Sequence, residues 1–372
     1  MLRPLLPVVK TRPPNPHRAM PRTRQRPTIT DVARAAGVSI TTVSHALSGK
    51  GYVDPATRAH VQEVARRAGY RPNLHAQRLR KGGAHTIALL SSMPFAVAAG
   101  PSRLGFLMEI AAVAASAALG KGLALVLVPP VEGRDQPLDA LDLDGALVIE
   151  PAADDTTVDY LLKRGLPVVA IGKQPGAKTP YVDLRSSETA QLLLAHLEAQ
   201  GGRRVALLIG NEPRNSYLEA EAAYRAFTRA RRMPLRIAKA SESGGEAAGY
   251  AEAARLLVAD PAIDAICAPI DAFAVGAVRA VDESGRTIPG DVRIVTRYDG
   301  LRARNSVPPL TAVDLHLDQV AALAVDLLFE HLNKSTRAFV VGPEPQLVVR
   351  ESSRAVRPAE PVAARAKARS GG

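Results

Sequence analysis

Residues 30–47 read TDVARAAGVSITTVSHAL. Thr30 is expected to cap a first helix: its hydroxyl can accept an orphan N–H, and Asp31 places a carboxylate at the positive end of the helix dipole. Val32 to Ala36 continue that helix, and Gly37 ends it, because the left-handed residue after a helix is best a glycine. Only Val38 intervenes before Ser39, a second cap that opens a short helix running through Leu47. Two short helices joined by a glycine turn make a helix-turn-helix, whose second helix enters the major groove of DNA. Ala33, Val38, Val43 and Leu47 are the expected internal packing positions.

A third helix follows. Asp54 caps it, Pro55 sits at the first position where its missing N–H costs nothing, and Gly69 closes it. Val61, Val64, Ala65 and Ala68 form its apolar face. Pro72 then forbids continuation and Asn73 can cap a new segment. Asn73–Leu79 is short and basic, and seven residues do not make a stable helix alone in water. It is expected to fold only against a partner.

The charge distribution points the same way. The chain has 372 residues and a net charge of +12. Residues 1–84 hold 16 of the 48 Lys/Arg but only 3 of the 36 Asp/Glu, a net of +13, which leaves residues 85–372 at −1. A small, very basic piece ahead of a neutral body implies a polyanionic partner for the first piece only. Residues 1–27 carry seven Pro and seven basic side chains, a composition that predicts a disordered tail. The apolar stretch Leu2–Val9 is broken by Arg3, Pro4 and Pro7, so it does not read as a secretory signal. Met20 is the expected true start. A single cysteine, Cys267, cannot form an intrachain disulfide framework or a thiolate cluster and fits a reducing interior. It lies in an apolar run and is expected to be a buried small hydrophobe. No apolar run approaches the ~18 to 20 residues of a membrane span.

Ile29-Thr30-Asp31-Val32-Ala33, Ala36-Gly37-Val38-Ser39, Thr42-Val43-Ser44 and Tyr70-Arg71-Pro72-Asn73, followed by Ala76 and Leu79, together resemble the DNA-binding headpiece and hinge of the LacI (lactose-repressor) family of bacterial regulators. The match runs from 28 to 83. The resemblance implies that the helix opened by Ser39 reads the major groove and that Asn73, Ala76 and Leu79 belong to a hinge helix that folds in the minor groove. Leu79 stands where the family wedges a leucine into a base step, a device that kinks the duplex. Ile40, Thr41 and His45 are the expected base readers. Thr30, Ser39, Thr42 and Ser44 are better suited to phosphates, which hydroxyls and helix N-termini bind well. The family most often has Arg where this chain has His45. An imidazole offers one hydrogen bond to guanine where an Arg offers two, and a packing or phosphate-contacting role is the alternative.

Beyond residue 85, apolar runs of strand length alternate with helical patterns. The runs are 86–90, 123–128, 145–149, 168–171, 205–209, 265–269 and 292–296, with helices predicted at 105–119, 187–200, 216–231, 245–259 and 271–284. Strand-helix alternation with buried apolar strands means α/β with parallel sheets. About 270 residues suit two lobes with a cleft beyond the strand C-termini. Tyr181-Val182-Asp183, Ile288-Pro289-Gly290-Asp291-Val292, Tyr298-Asp299 and Leu347-Val348-Val349-Arg350-Glu351-Ser352 resemble the family's effector-binding core, which has the type I periplasmic-binding-protein fold. By resemblance and position near strand ends, Ser91, Ser92, Phe95, Asp271, Tyr298 and Asp299 are candidate effector contacts. For Asp271, helix capping is the alternative. Three usual ligand positions depart from the pattern: Ala220 replaces an Arg, Ile270 an Asn, and Arg297 a Gly.

There is no G-x-x-x-x-G-K-[ST] loop, no H-E-x-x-H helix and no G-x-S-x-G elbow, and the eight His show no metal spacing, so neither an enzyme nor a cofactor is expected. The expected organisation is a disordered basic, Pro-rich tail (1–27), an all-α helix-turn-helix domain (28–72), a hinge (73–84), a two-lobed α/β effector-binding and dimerisation domain (85–353) and a disordered tail (354–372). The tail has no leucine heptads, so a dimer rather than a coiled-coil tetramer is expected. The expected function is that of a cytoplasmic, nucleoid-associated, dimeric regulator, most often a repressor, that binds a palindromic DNA operator. A small molecule, such as a sugar or related metabolite, would control it allosterically. The alternative is a DNA-binding regulator whose body is an effector-blind dimerisation scaffold.

Overall fold

The computed structural model describes residues 27–49, 51–70, 83–98, 105–129 and 137–354. Chain contacts divide it into two units at Gly82/Gly83. The expected tails and the hinge positions Asn73, Ala76 and Leu79 lie outside the described residues.

The first unit is three helices: α1 (Ile29–Ala36), α2 (Ile40–Ser48) and α3 (Pro55–Arg67). The cap of α1 differs from expectation. Thr28, not Thr30, holds that position. Its hydroxyl accepts from the Asp31 amide at 3.4 Å, and its own amide donates to Asp31 Oδ2 at 2.9 Å. A reciprocal capping box needs an acidic side chain three residues after the cap. Thr28 places Asp31 there, whereas Thr30 would place Ala33. Thr30 is therefore an exposed residue of the first turn. Gly37 adopts φ 68°. Ser39 caps α2 as expected, accepting from the Thr42 amide at 3.1 Å, and Asp54 accepts from the amides of Ala56 and Thr57 ahead of α3. Val32, Ala33, Ala36, Val43, Ala46, Val61 and Ala65 form the core. Most are small, so the helices can lie close together. Val38 and Leu47, expected inside, pack against this core while staying partly open.

Among the described residues, the second unit contains two larger sheets and a two-stranded pair. In lobe one, β1 (Thr86–Ser91), β2 (Ala124–Val128), β3 (Gly145–Ile149), β4 (Val168–Ile171), β5 (Tyr181–Asp183) and β11 (Phe339–Val341) lie in the order β11-β5-β4-β3-β1-β2. All their pairings are parallel. In lobe two, β6 (Val205–Gly210), β7 (Ile237–Ala240), β8 (Ala265–Cys267) and β9 (Arg293–Val295) form a parallel sheet in the order β7-β6-β8-β9. β10 (Ala312–Asp314) and β12 (Gln346–Val348) form an antiparallel pair. Central strands such as β3, β4 and β6 are buried along their whole length, which is why they read as unbroken apolar runs. Burial pushes the Cys267 thiol up to about 12, as suits a packing residue in β8.

Helices cover the sheets. Lobe one carries α5 (Phe106–Gly120), α6 (Thr156–Lys163) and α12 (Leu317–Leu332), with the short α4 (Phe95–Ala98) after β1. Lobe two carries α7 (Ser186–Ala199), α8 (Asn215–Ala230), α9 (Gly245–Ala259), α10 (Asp271–Glu283) and α11 (Leu301–Asn305). The chain passes between lobes three times: after β5, after β10 and after β11. The first two passages repeat one device. Asp183 Oδ1 accepts the Arg185 amide at 2.9 Å and Asp314 Oδ1 accepts the His316 amide at 2.8 Å. Arg185 and His316 both take left-handed conformations, φ 51° and 49°, immediately before α7 and α12. At the third passage the Gly342 amide donates to the Asp183 carbonyl at 2.9 Å, and a Cβ on Gly342 would lie 2.6 Å from that oxygen.

The described C-terminus is locked into lobe two. Ser353 Oγ lies 2.7 Å from His196 Nε2 and 2.6 Å from Thr311 Oγ1, and Ser352 Oγ donates to the Ile294 carbonyl at 2.6 Å.

Two measurements follow from these contacts. Thr28→Ala should lower hydrogen-exchange protection of α1 by about 1 kcal/mol, whereas Thr30→Ala should stay within about 0.5 kcal/mol of the parent. Burial holds the His196 imidazole below its ordinary value, so the unfolded chain takes up that proton first. Stability should therefore fall as pH drops below about 6.5. His196→Gln should flatten part of that dependence in thermal melts between pH 7 and 5.

Candidate functional site

On the headpiece, α2 presents Ile40 and Thr41 to solvent, and Ile40 is 47% exposed. Ser39 is also exposed, but its hydroxyl is engaged with Thr42 Oγ1 at 2.8 Å, and Thr42 and Ser44 are half-buried. His45 does not stand free. Its ring lies against the backbone of Gly51 in the loop after α2, so close that a Cβ on Gly51 would sit 2.6 Å from Nδ1. Gly51 has φ 77° and so tolerates no side chain on either ground. The imidazole is half-buried there, which favours packing over base reading for this side chain. Tyr52, next in the loop, is 95% exposed. No periodic signal singled it out.

In the core, the C-terminal ends of β1, β3, β6 and β7 face one another around a cavity of about 510 Å³. Ser91 and Ser92 line it as expected. The other four expected contacts do not converge there. Phe95, on α4, is 39% exposed and is not part of the lining. Asp271 is buried at the start of α10, where its Oδ1 accepts from the Ala272 amide at 2.7 Å and meets Arg302 Nη1 at 3.1 Å. It is the first residue of that helix, not its cap. Burial holds its carboxyl above the usual range, although Arg302 opposes this. Tyr298 donates to Glu109 Oε2 at 2.5 Å, and burial together with that carboxylate raises its phenol. Asp299 is held by Arg350 at 2.7 Å and Arg304 at 3.1 Å. Tyr298 and Asp299 line a separate cavity of about 260 Å³ with Glu109 and Arg304. Asp271 and Asp299 are thus already compensated by arginines of the chain itself.

The residues that dominate the cleft were not among the candidates. Arg214 and Glu242 form an ion pair through two bonds of 2.7 Å, with side chains only 3% and 1% exposed. Tyr217 donates to the same carboxylate at 2.7 Å. Arg214 also reaches across to lobe one, donating to the backbone carbonyls of Ser92, at 2.9 Å, and Glu150. Burial pulls the Arg214 guanidinium down, but the bonds to Glu242 more than offset this and raise it above its ordinary value. Glu150, at the end of β3, accepts from Ser216 at 2.7 Å and from Arg297 at 2.7 Å. Arg297, one of the departures from the family pattern, is thus paired across the lobes. Ala220 and Ile270 are buried.

A DNA-reading three-helix unit joined to a two-lobed α/β core with a cleft defines a ligand-type bacterial transcription regulator. Residues 28–73 match the model for bacterial regulatory proteins of the lacI family, and residues 194–353 match the model for a periplasmic binding protein-like domain. The chain is 29% identical over 343 residues to the HTH-type transcriptional regulator CelR of Thermobifida fusca, covering 88% of this chain and 99% of that one. It is 28% identical over 339 residues to the HTH-type transcriptional repressor PurR of Pasteurella multocida, covering 87% and 98%. A solved CelR–cellobiose complex matches with a TM-score of 0.63 at 27% identity, covering 88% of this chain and 100% of that one. The chain thus carries a DNA-binding domain of the lacI family at residues 28–73 and a periplasmic binding protein-like domain at residues 194–353. It is a DNA-binding transcription regulator, and its relatives are regulators rather than enzymes. Among the described residues no helix is long and apolar enough to cross a membrane.

Arg214→Met should strand the buried Glu242 carboxylate and destabilise the core by about 3–5 kcal/mol in denaturant titrations. Adding Glu242→Leu should recover most of that loss, because the stranded charge is then removed as well.

Proposed function

We propose that the protein is a homodimeric repressor of the bacterial cytoplasm and nucleoid that binds a palindromic operator. A small molecule between the core lobes would set its affinity for that operator. The single observation that carries this reading is the pairing of the +13 segment 1–84, whose Ser39-capped helix presents Ile40 and Thr41, with a core whose two lobes enclose a cavity at their strand ends. In this reading Thr30, Ser39, Thr42 and Ser44 contact phosphates, and residues 28–72 act as the DNA-reading domain. Asn73, Ala76 and Leu79 would supply the minor-groove contacts that the resemblance implies. Ligand and operator affinities are then linked reciprocally.

A second reading is favoured by one feature. Arg214, and Arg297 with Glu150, already tie lobe to lobe through the chain's own charges, as a scaffold indifferent to small molecules would. The relative CelR has been solved with cellobiose. In this chain Ala220 and Ile270 offer no polar group, so a shared effector is not implied.

Selection of bound duplexes from a random pool, followed by titration of the chosen operator with metabolites, tests both readings. The dimeric repressor reading expects a two-fold symmetric site and at least one metabolite that changes operator affinity. A symmetric site that no metabolite perturbs favours the scaffold. His45→Arg, which carries the longer cation off Gly51, should gain preference for guanine at one position of each half-site by about 1–3 kcal/mol. An unchanged selection would show that residue 45 does not face the bases.

A further inference from the structure

We infer that the large interlobe cavity takes a small polar metabolite bearing a protonated amine, an inference that rests on the small-molecule reading above and names the ligand class. Among the described residues, the lining contains the carboxylates of Asp154, Asp155, Glu212 and Glu242 and the cation of Arg214. That cation is already matched by Glu242, so it cannot draw in an anionic ligand. Asp155 directs its carboxylate at the amides of Ala152, Thr157 and Val158, at 3.0 to 3.3 Å. Asp154 and Glu212 are exposed and form no ion pair within the described residues. Among the described lining residues, Asp154 and Glu212 are thus left as carboxylates without a paired cation, a field that concentrates cations and disfavours anions.

Two further observations point to a ligand rather than to a merely acidic surface. Ser92 lines the cavity, and its Oγ is buried without a hydrogen-bond partner. A buried hydroxyl without a partner is costly, and an N–H or O–H donor would satisfy it. The described lining residues also include no aromatic ring, so no face is offered for stacking a purine or a sugar ring. What remains is a concave, hydroxyl-bearing, anionic site, which selects donors and positive charge.

The placement of the two free carboxylates adds a consequence. Asp154 follows β3 of lobe one and Glu212 follows β6 of lobe two. Like charges on opposing lips repel, and an ammonium group between them turns that repulsion into attraction to a shared centre. Binding of the amine thereby favours the closed arrangement, which is the differential affinity that a population shift requires.

Calorimetry and operator-release assays on the full-length protein test this with matched probes: glucosamine, N-acetylglucosamine and glucose for the amino-sugar source, and spermidine against 1,8-octanediol for the polyamine source. The expected result is binding of at least one amine, with its neutral counterpart at least about ten-fold weaker. Glu212→Gln and Asp154→Asn, both at exposed positions, should each weaken that amine about ten-fold while leaving the melting temperature unchanged. Amines that bind no better than their neutral counterparts, or whose affinity is unmoved by both substitutions, would overturn the inference. A neutral compound that alone alters operator affinity would overturn it and leave the effector reading standing. If no compound from a broad metabolite panel alters operator affinity, both fall.

Discussion

One guanidinium, sealed from water where the two lobes meet, constrains the core more than any other group. Arg214 cannot shed its charge, so every atom packed around it must accept a hydrogen bond or carry the opposite sign. Glu242, itself steadied by the Tyr217 hydroxyl, meets that demand from lobe two, and the backbone carbonyls of Ser92 and Glu150 meet it from lobe one. A pair of this kind contributes little net stability compared with well-packed apolar side chains, because dehydrating both ions offsets their attraction. It does fix geometry. The ends of β1 and β3 are held against the loop after β6 in one register, and the cavity takes its shape from that register.

The sequence disclosed the fold because folding here rests on periodic signals. The apolar strands and apolar-faced helices of residues 85–353 are local patterns, and the expected elements lie within a few residues of observed ones, whereas short strands such as β7 and β10 were not expected. The headpiece was legible for the same reason, with one error at its first residue. Thr28 and Thr30 are both good capping residues, and only the reciprocal bond to Asp31 distinguishes them. The effector site was legible only in part. Ser91 and Ser92 follow a strand and had to lie at its end. Asp271, Tyr298 and Asp299 also follow strands, but their partners Arg302, Glu109, Arg304 and Arg350 are between 5 and 189 residues away in sequence. No local pattern announces that an acid is already spoken for. Glu150 and Arg214 escaped notice because a charge next to a strand reads as solvated until the opposing lobe is seen to bury it.

His45 shows how position and environment can separate. The resemblance places it among the base readers, yet its imidazole settles against Gly51 of the following loop. That leaves Ile40 and Thr41 as the side chains of this helix most open to a DNA edge, with the exposed ring of Tyr52 close by in sequence.

The matched passages between the lobes carry a mechanical consequence. Arg185 and His316 each hold a left-handed backbone state that an L-residue adopts only at some cost, and each amide is tethered to the aspartate two residues before it. A torsion pinned in that way behaves as a stiff spring. With Gly342 tied to Asp183 as a third support, sliding of one lobe past the other would have to break bonds, whereas a small roll only strains them. The three crossings are thereby stiffened against sliding of one lobe past the other.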